Sequence, residues 1–107
     1  MRVPWQLWDQ AWERDGGYCR YCNADLSASF NLWMSATVDH VIAVSAGGPS
    51  NIENLVLCCA ACNSILSRAS DLQTIDERKT FLNDRRPDFE TRYQSYRRQL
   101  VAPPARV

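Results

Sequence analysis

Residues that could carry out a reaction are concentrated between positions 38 and 63. This stretch holds the only histidine of the chain, His40, directly after Asp39, and it ends with Asn63. Aspartate and asparagine oxygens suit a hard cation such as Mg²⁺ or Mn²⁺. A histidine can act as a general base near neutral pH. If the fold brings the three side chains together, they provide what metal-assisted phosphodiester hydrolysis requires. Each residue alone also has a purely structural interpretation.

A second kind of site is indicated by two Cys-x-x-Cys pairs, Cys19/Cys22 and Cys59/Cys62. Four thiolates at this spacing predict a closed tetrahedral site for structural Zn²⁺. A finger of two cysteines and two histidines is excluded because the chain has one histidine. A thioredoxin-like redox pair would need a βαβ pattern, which the sequence lacks. The fifth cysteine, Cys58, is predicted to be a buried thiol beside the zinc.

The distance between the two pairs is informative. Between Cys22 and Cys59 lie 36 residues, whereas simple zinc ribbons have about 15–20. Zinc binding would close this insert, and it would place Asp39 and His40 near Asn63. The insert therefore joins the zinc site to the candidate reaction centre.

The elements that must position these residues are predicted from patterning. Trp5, Trp8 and Trp12 share one helical face, so we predict a helix over residues 4–15 with those side chains in the core. Residues 24–30 have the composition of a loop. Alternation from Leu32 to Asp39 predicts a strand that ends near His40. A second short strand is expected over residues 54–58, and a helix from about residue 60.

Two further helices are predicted towards the C-terminus. Residues 70–73 match a capping box and would open a helix to about residue 83. Pro87 would start the last helix, on which four side chains at helical spacing form an apolar stripe: Phe89, Tyr93, Tyr96 and Leu100. The tail over residues 102–107 is expected to fray. We predict one domain over residues 1–101, with a core at about 14–70 and a helical extension at about 71–101.

Composition agrees with a small globular protein. The chain has 107 residues, and a core of that size is marginal without a staple such as a metal. No apolar run approaches a membrane span, and the first residues lack the apolar core of a signal peptide. We therefore expect a cytoplasmic protein with no membrane partner, in which cysteines bind metal rather than form disulfides.

Charge is balanced overall but unevenly spread. The chain has 12 basic and 12 acidic residues, and residues 64–107 hold nine of the basic and six of the acidic ones. A polyanion would meet this C-terminal segment most favourably. The alternative is that these arginines form a solvated helix face.

Six short motifs, taken in order, resemble the HNH endonucleases, in the subgroup with a four-cysteine zinc site. They cover roughly residues 1–66 and comprise Arg14-Asp15-Gly16, Tyr18-Cys-Arg-Tyr-Cys22, Val38-Asp-His-Val-Ile42, Gly47-Gly48, Glu53-Asn-Leu-Val-Leu57 and Cys59-Ala-Ala-Cys-Asn63. The resemblance implies a small α+β protein with a ββα-metal core, zinc knuckles, an N-terminal helix and two C-terminal helices.

The resemblance also implies a role for each site residue. His40 would be the general base, and Asp39 and Asn63 would hold the catalytic Mg²⁺ or Mn²⁺. Asn54 would stabilise the loop and orient the base. The reaction implied is DNA hydrolysis, by nicking or by double-strand cleavage, to 5′-phosphate and 3′-hydroxyl ends. The zinc on the four cysteines would stay structural.

Three positions depart from the family pattern: Ala43, Ala46 and Leu66 stand where proline or basic residues are common. These changes remove phosphate contacts rather than catalytic groups. Double-stranded DNA would then be held by arginines outside the motifs, or with help from a homodimer or an accessory protein. The candidates are Arg68, Arg85, Arg86, Arg92, Arg97 and Arg98. The alternative function is a decayed, zinc-stabilised module that binds nucleic acid or protein without catalysis.

Overall fold

A computed structural model describes residues 3–69 and 71–100. Two strands and four helices follow one another in the order α1 (Trp5–Asp15), α2 (Phe30–Ser35), β1 (Thr37–His40), β2 (Leu55–Cys58), α3 (Ala60–Leu66) and α4 (Ile75–Gln99), with single 3₁₀ turns at Val44–Ala46 and Ile52–Asn54. Within the described ranges, no helix is long and apolar enough to cross a membrane.

The centre of the fold is the antiparallel pair of β1 and β2. Asp39 pairs with Val56, and His40 pairs with Leu55. All four residues of β2 are buried, because α1 packs on this strand and the Cys19 knuckle hydrogen-bonds to it. Helix α3 packs on β1 and on α4. This arrangement confirms the predicted ββα core, in which two strands are followed by α3.

Helix α1 confirms the N-terminal prediction. Pro4 precedes its first turn, and Gly16 ends it in the left-handed conformation at φ 64°, which glycine adopts without steric cost. Trp8 and Trp12 stack with ring centroids 5.8 Å apart and pack against the core. Trp5, however, is 68% exposed, so its assignment to the core was wrong.

The strand predicted from Leu32 to Asp39 is only half correct. Residues 30–35 form α2 instead, and β1 begins at Thr37. Ser29 caps this helix, because its hydroxyl accepts the Leu32 N–H at 3.1 Å, a contact that favours helix over strand. The alternation of side chains over residues 30–35 has no counterpart in burial, since all six are exposed.

The C-terminal region contains one long helix where two were predicted. Helix α4 begins after Thr74, whose hydroxyl accepts the Glu77 N–H at 3.0 Å. The N-cap is therefore Thr74 and not a residue of the stretch 70–73, of which Ser70 lies outside the described residues. The Glu77 carboxylate accepts the Gln73 N–H at 3.3 Å. Pro87 lies inside the helix. It removes one helical hydrogen bond, but residues 83–85 and 87–91 are exposed, so water can reach the freed carbonyl. The predicted tail also lies outside the described residues.

Candidate active site and zinc cluster

The four predicted zinc ligands lie together in the core. The Sγ atoms of Cys19, Cys22, Cys59 and Cys62 are all within 4.8 Å of one another, and those of Cys22 and Cys59 are 3.6 Å apart. Tetrahedral Zn²⁺ with Zn–S bonds of about 2.3 Å requires sulfur separations of about 3.8 Å. The four thiols are therefore positioned to form a zinc site.

The four thiols lie close enough to perturb one another. Contacts with neighbouring thiols lower the pKa of Cys19 and raise the pKa values of Cys59 and Cys62. Four thiolates packed this closely repel one another, and Zn²⁺ neutralises that charge when bound. Cys58 is fully buried next to the cluster, as predicted, and its thiol donates to the Cys59 carbonyl at 3.3 Å.

Asp39 lies near the end of β1, where the side chain is 18% exposed. One of its oxygens, Oδ2, accepts hydrogen bonds from the Arg78 guanidinium and from the Tyr21 hydroxyl. Among residues 3–69 and 71–100, no donor contacts the other oxygen, Oδ1. One oxygen of the carboxylate is therefore fixed by the protein, and the other remains available to a ligand.

Arg78 is the residue that fixes Asp39. Its side chain is 5% exposed, its Nε donates to the Tyr21 hydroxyl at 2.7 Å, and its Nη1 donates to the Val41 carbonyl at 3.2 Å. Burial, together with the charge of Asp39, raises the pKa of Tyr21, so this phenol stays neutral and donates to Asp39. Arg78 thereby ties α4 to the end of β1 and to the first zinc knuckle.

His40 follows Asp39 and is half-buried. Its Nε2 lies 2.9 Å from the Ser50 hydroxyl. In the described part of the chain, that hydroxyl is the only side-chain partner of the imidazole. Ser50 lies in the loop between β1 and β2, so the position of the imidazole depends on how that loop is held.

Asn54 holds the loop. Its side chain is buried, its Oδ1 accepts the Ile42 N–H at 2.9 Å, and its Nδ2 donates to the carbonyls of Ile42 and Pro49 at 3.0 and 2.9 Å. Gly48 allows this close packing, because a Cβ there would lie 1.8 Å from the Ile42 carbonyl oxygen. Asn54 therefore ties Ile42, near the start of the loop after His40, to Pro49, the neighbour of Ser50. It thereby fixes the loop that carries Ser50.

The sequence comparison agrees with this geometry. The model of the family described as HNH endonuclease matches residues 19–68, which include both cysteine pairs, His40 and Asn54. By this match residues 19–68 are similar to the HNH endonucleases, and we call this segment the HNH domain. No curated protein and no solved structure matches the chain. The HNH domain accounts for β1, β2, α3 and the zinc cluster, and the family implies a nucleic-acid substrate.

Outside the matched segment, α1 supports the HNH domain through Arg14 and Asp15. The Asp15 carboxylate accepts the Leu57 N–H at 2.9 Å, and Arg14 donates to the carbonyls of Ile52 and Leu55 at 2.8 and 2.6 Å. Burial raises the pKa of Asp15, but the hydrogen bonds from Arg14 and Leu57 outweigh it and lower the pKa overall. The charged pair thus fastens α1 to β2 and to the turn before it.

Asn63 lies in the HNH helix α3, which packs on β1. Its side chain is half-buried. In the described ranges, no side-chain hydrogen bond joins it to Asp39, although the two elements that carry them are neighbours. The structure thus brings the two candidate cation ligands onto adjacent elements without tying them to each other.

The six candidate DNA-binding arginines are not equivalent. Arg86 is half-buried, and its Nη1 lies 3.7 Å from the Cys62 sulfur, so it neighbours the zinc cluster of the HNH domain. Arg85 stacks over the Phe81 ring with its Cζ 4.7 Å from the centroid. The remaining four are exposed: Arg68, Arg92, Arg97 and Arg98.

Sequence reasoning missed Arg78 and Ser50. The signal for Arg78 was present, because it lies three residues after Ile75 and four before Leu82, on the same helical face as these two apolar residues. A charged residue at such a position needs a buried partner. For Ser50 there was no comparable signal, since its neighbour His40 is ten residues away across a loop.

Proposed function

We propose that the HNH domain hydrolyses phosphodiester bonds of DNA, with His40 as the general base and with a divalent cation held by Asp39 and Asn63. The observation that carries this proposal is that neighbouring side chains hold both Asp39 and His40 in place at the end of β1. Arg78 and Tyr21 fix one side of the carboxylate, Ser50 contacts the imidazole, and Asn54 locks the intervening loop.

The tautomer of His40 decides which nitrogen can act. If the imidazole carries its proton on Nε2, it donates to the Ser50 hydroxyl, and the lone pair on Nδ1 is free to take a proton from water. The opposite tautomer would place the proton on Nδ1 and leave no free basic nitrogen. We therefore assign Nδ1 as the basic atom and Ser50 as a positioning residue.

The residues present fit a hard cation. Oδ1 of Asp39 offers an anionic oxygen and the Asn63 side chain a neutral one, a ligand set that leaves further positions to water and phosphate. When bound, Mg²⁺ or Mn²⁺ would stabilise negative charge on the phosphate and on the departing 3′ oxygen.

The reaction proceeds through the protein side chains as follows. Nδ1 of His40 takes a proton from the attacking water, whose oxygen forms the new bond to phosphorus. The P–O3′ bond breaks, which leaves a 5′-phosphate, and the departing 3′ oxygen takes a proton from solvent water to become a 3′-hydroxyl. Ser50 holds the imidazole in place during the step, and Asn54 holds the loop that carries Ser50. Exposed arginines on α4 and Arg68 contact backbone phosphates, which position the duplex without reading its sequence.

His40→Ala tests this proposal. We expect it to lower the rate of supercoiled plasmid cleavage by a factor on the order of 10² to 10⁴, the usual contribution of a general base. Rates are measured with Mg²⁺ and with Mn²⁺ on the zinc-loaded chain. Ser45→Ala, an exposed change in the same loop, serves as the matched control and should retain the parent rate.

Two outcomes of that assay would contradict the proposal. Equal cleavage by the parent protein and by His40→Ala would show that the activity does not depend on the imidazole. A parent protein that binds DNA but leaves plasmid intact under a broad range of cation concentrations would identify the alternative, a zinc-stabilised binding module.

A smaller effect is expected at Ser50. Ser50→Ala removes one hydrogen bond, worth about 1 kcal/mol, and should lower kcat roughly three- to tenfold with KM for plasmid unchanged. Ser50→Thr keeps the hydroxyl and should recover most of the rate. A rise in KM with kcat unchanged, or a Ser50→Thr variant as slow as Ser50→Ala, would show that Ser50 does not position the imidazole.

A further inference from the structure

The distal half of α4 has an apolar face that the rest of the described chain does not cover. Phe89, Tyr93 and Tyr96 of α4, and Leu100 directly after the last helical residue, are between 55% and 59% exposed. Large apolar side chains scattered singly are ordinary on a surface, but a contiguous row of them marks an interaction site. The row was visible in the sequence as an apolar stripe, and the structure shows that it faces solvent.

The spacing of the row is that of a helix-pairing seam. Successive members are four, three and four residues apart, which is the a/d pattern of a coiled coil. At the start of the row a groove of about 540 Å³ opens between α3 and α4, lined in part by Ile65, Phe89 and Tyr93. A second helix lying along α4 could therefore pack on the apolar row and extend into the groove at the start of that row.

We propose that this face binds the same face of a second copy of the chain, with the two α4 helices antiparallel around a two-fold axis. In this register Phe89 lies opposite Leu100 of the second copy, and Tyr93 lies opposite Tyr96. The interface is isologous, so each contact occurs twice.

Charges beside the seam select the antiparallel direction. The residues that flank it on one side are Glu90 and Arg97. In an antiparallel pair they lie opposite each other, which forms two Glu–Arg pairs related by the two-fold axis. A parallel pair would instead place Arg92 of one helix against Arg97 of the other. Glu90 now lies 3.4 Å from Arg86 of its own helix and is 67% exposed, so it can also reach a partner.

A different class of partner fits this surface less well. A DNA duplex would contact the arginines but leave the aromatic row in water. A second copy covers the row and matches both charges. Two HNH sites held in one particle would also allow both strands of a duplex to be cut, a consequence that rests on the proposed function, whereas the assembly itself does not.

The test is a charge exchange followed by sedimentation equilibrium on the full zinc-loaded chain. The parent protein should dimerise within a range of about 1–500 µM. Glu90→Arg and Arg97→Glu should each weaken the dimer about tenfold, because each replaces two attractive pairs by two repulsive ones. The double variant should recover most of the lost affinity. Arg98→Glu makes the same change in charge away from the seam and should leave the dimer intact.

Two results would overturn the proposal. A parent chain that stays monomeric over the whole range would mean that another partner, or none, covers the row. A dimer in which the double variant is as weak as the single variants would exclude the antiparallel register. Because no cleavage is measured, these results are independent of the His40 experiment.

Discussion

Cys62→Ser is expected to abolish stable folding of the HNH domain, whereas Cys58→Ala should leave it folded. Cys62 is fully buried in the core cluster, and its sulfur is one of the four that lie within 4.8 Å of one another. Zinc binding to peptide sites of this kind contributes about 10–16 kcal/mol. Small domains have a total stability of about 5–15 kcal/mol, so the loss of one ligand is enough to unfold the protein.

Cys58 provides the matched control because it is adjacent, equally buried and outside the cluster. Its thiol makes one hydrogen bond, to the Cys59 carbonyl, and its removal should cost only about 1–2 kcal/mol. Elemental analysis should find about one zinc per chain in the parent and in Cys58→Ala, and far less in Cys62→Ser. Far-ultraviolet circular dichroism follows folding. Zinc retained by Cys62→Ser, or lost equally by both variants, would contradict the four-cysteine assignment.

The sequence was sufficient to predict the four-cysteine cluster because the spacing within each Cys-x-x-Cys pair is a local feature of the chain. Each Cys-x-x-Cys pair forms its own knuckle, so the ligands could be identified without knowing how the knuckles meet. The same holds for α3, which Cys59 caps by accepting the Cys62 N–H, and for β2, whose run of apolar residues is short and bounded. In all three cases the residues that determine the structure lie within a few positions of each other.

Errors arose where the outcome depended on contacts across the fold. Alternation at residues 30–35 resembled a strand, but among residues 3–69 and 71–100 no strand is available to pair with this segment. The Ser29 cap favours a helix instead. Pro87 indicated a helix boundary, but α4 continues through it, and the residues around the proline are largely exposed. The exposure of the α4 stripe could not be predicted either, because an apolar stripe does not show that Phe89 and its neighbours lie beyond the end of the core.

The charged partner of Asp39 was the most consequential omission. A pattern of apolar residues at helical spacing predicts which face of α4 is buried, but it does not say what that face meets. Arg78 acquires its role only when α4 packs over the end of β1, more than thirty residues away in sequence. Pairing of this kind is a property of tertiary structure.

Arg78→Met is expected to destabilise the domain by about 3–5 kcal/mol, as measured by urea unfolding. Methionine retains most of the volume but leaves the Asp39 carboxylate without its cation, and it leaves the Tyr21 hydroxyl and the Val41 carbonyl without a donor. Loss of one member of a buried ion pair has this cost because the remaining charge stays buried without a partner. Arg85→Met on the same helix is the control. Its side chain is 57% exposed, and the change should stay within about 0.5 kcal/mol.

The Asp39–Arg78 pair also determines how catalytic variants must be interpreted. Asp39→Asn removes a proposed cation ligand, but it also leaves Arg78 charged and buried, so it should lower stability as well as activity. A double-mutant cycle with Arg78→Met separates the two effects, since coupled partners show an interaction of about 1–3 kcal/mol in unfolding. If the two destabilisations simply add, the pair does not stabilise the fold. His40 has no such second role, because its side-chain partner among the described residues is a surface-loop serine. A loss of activity at His40 therefore reports on chemistry, whereas a loss at Asp39 does so only after the fraction of folded protein has been matched.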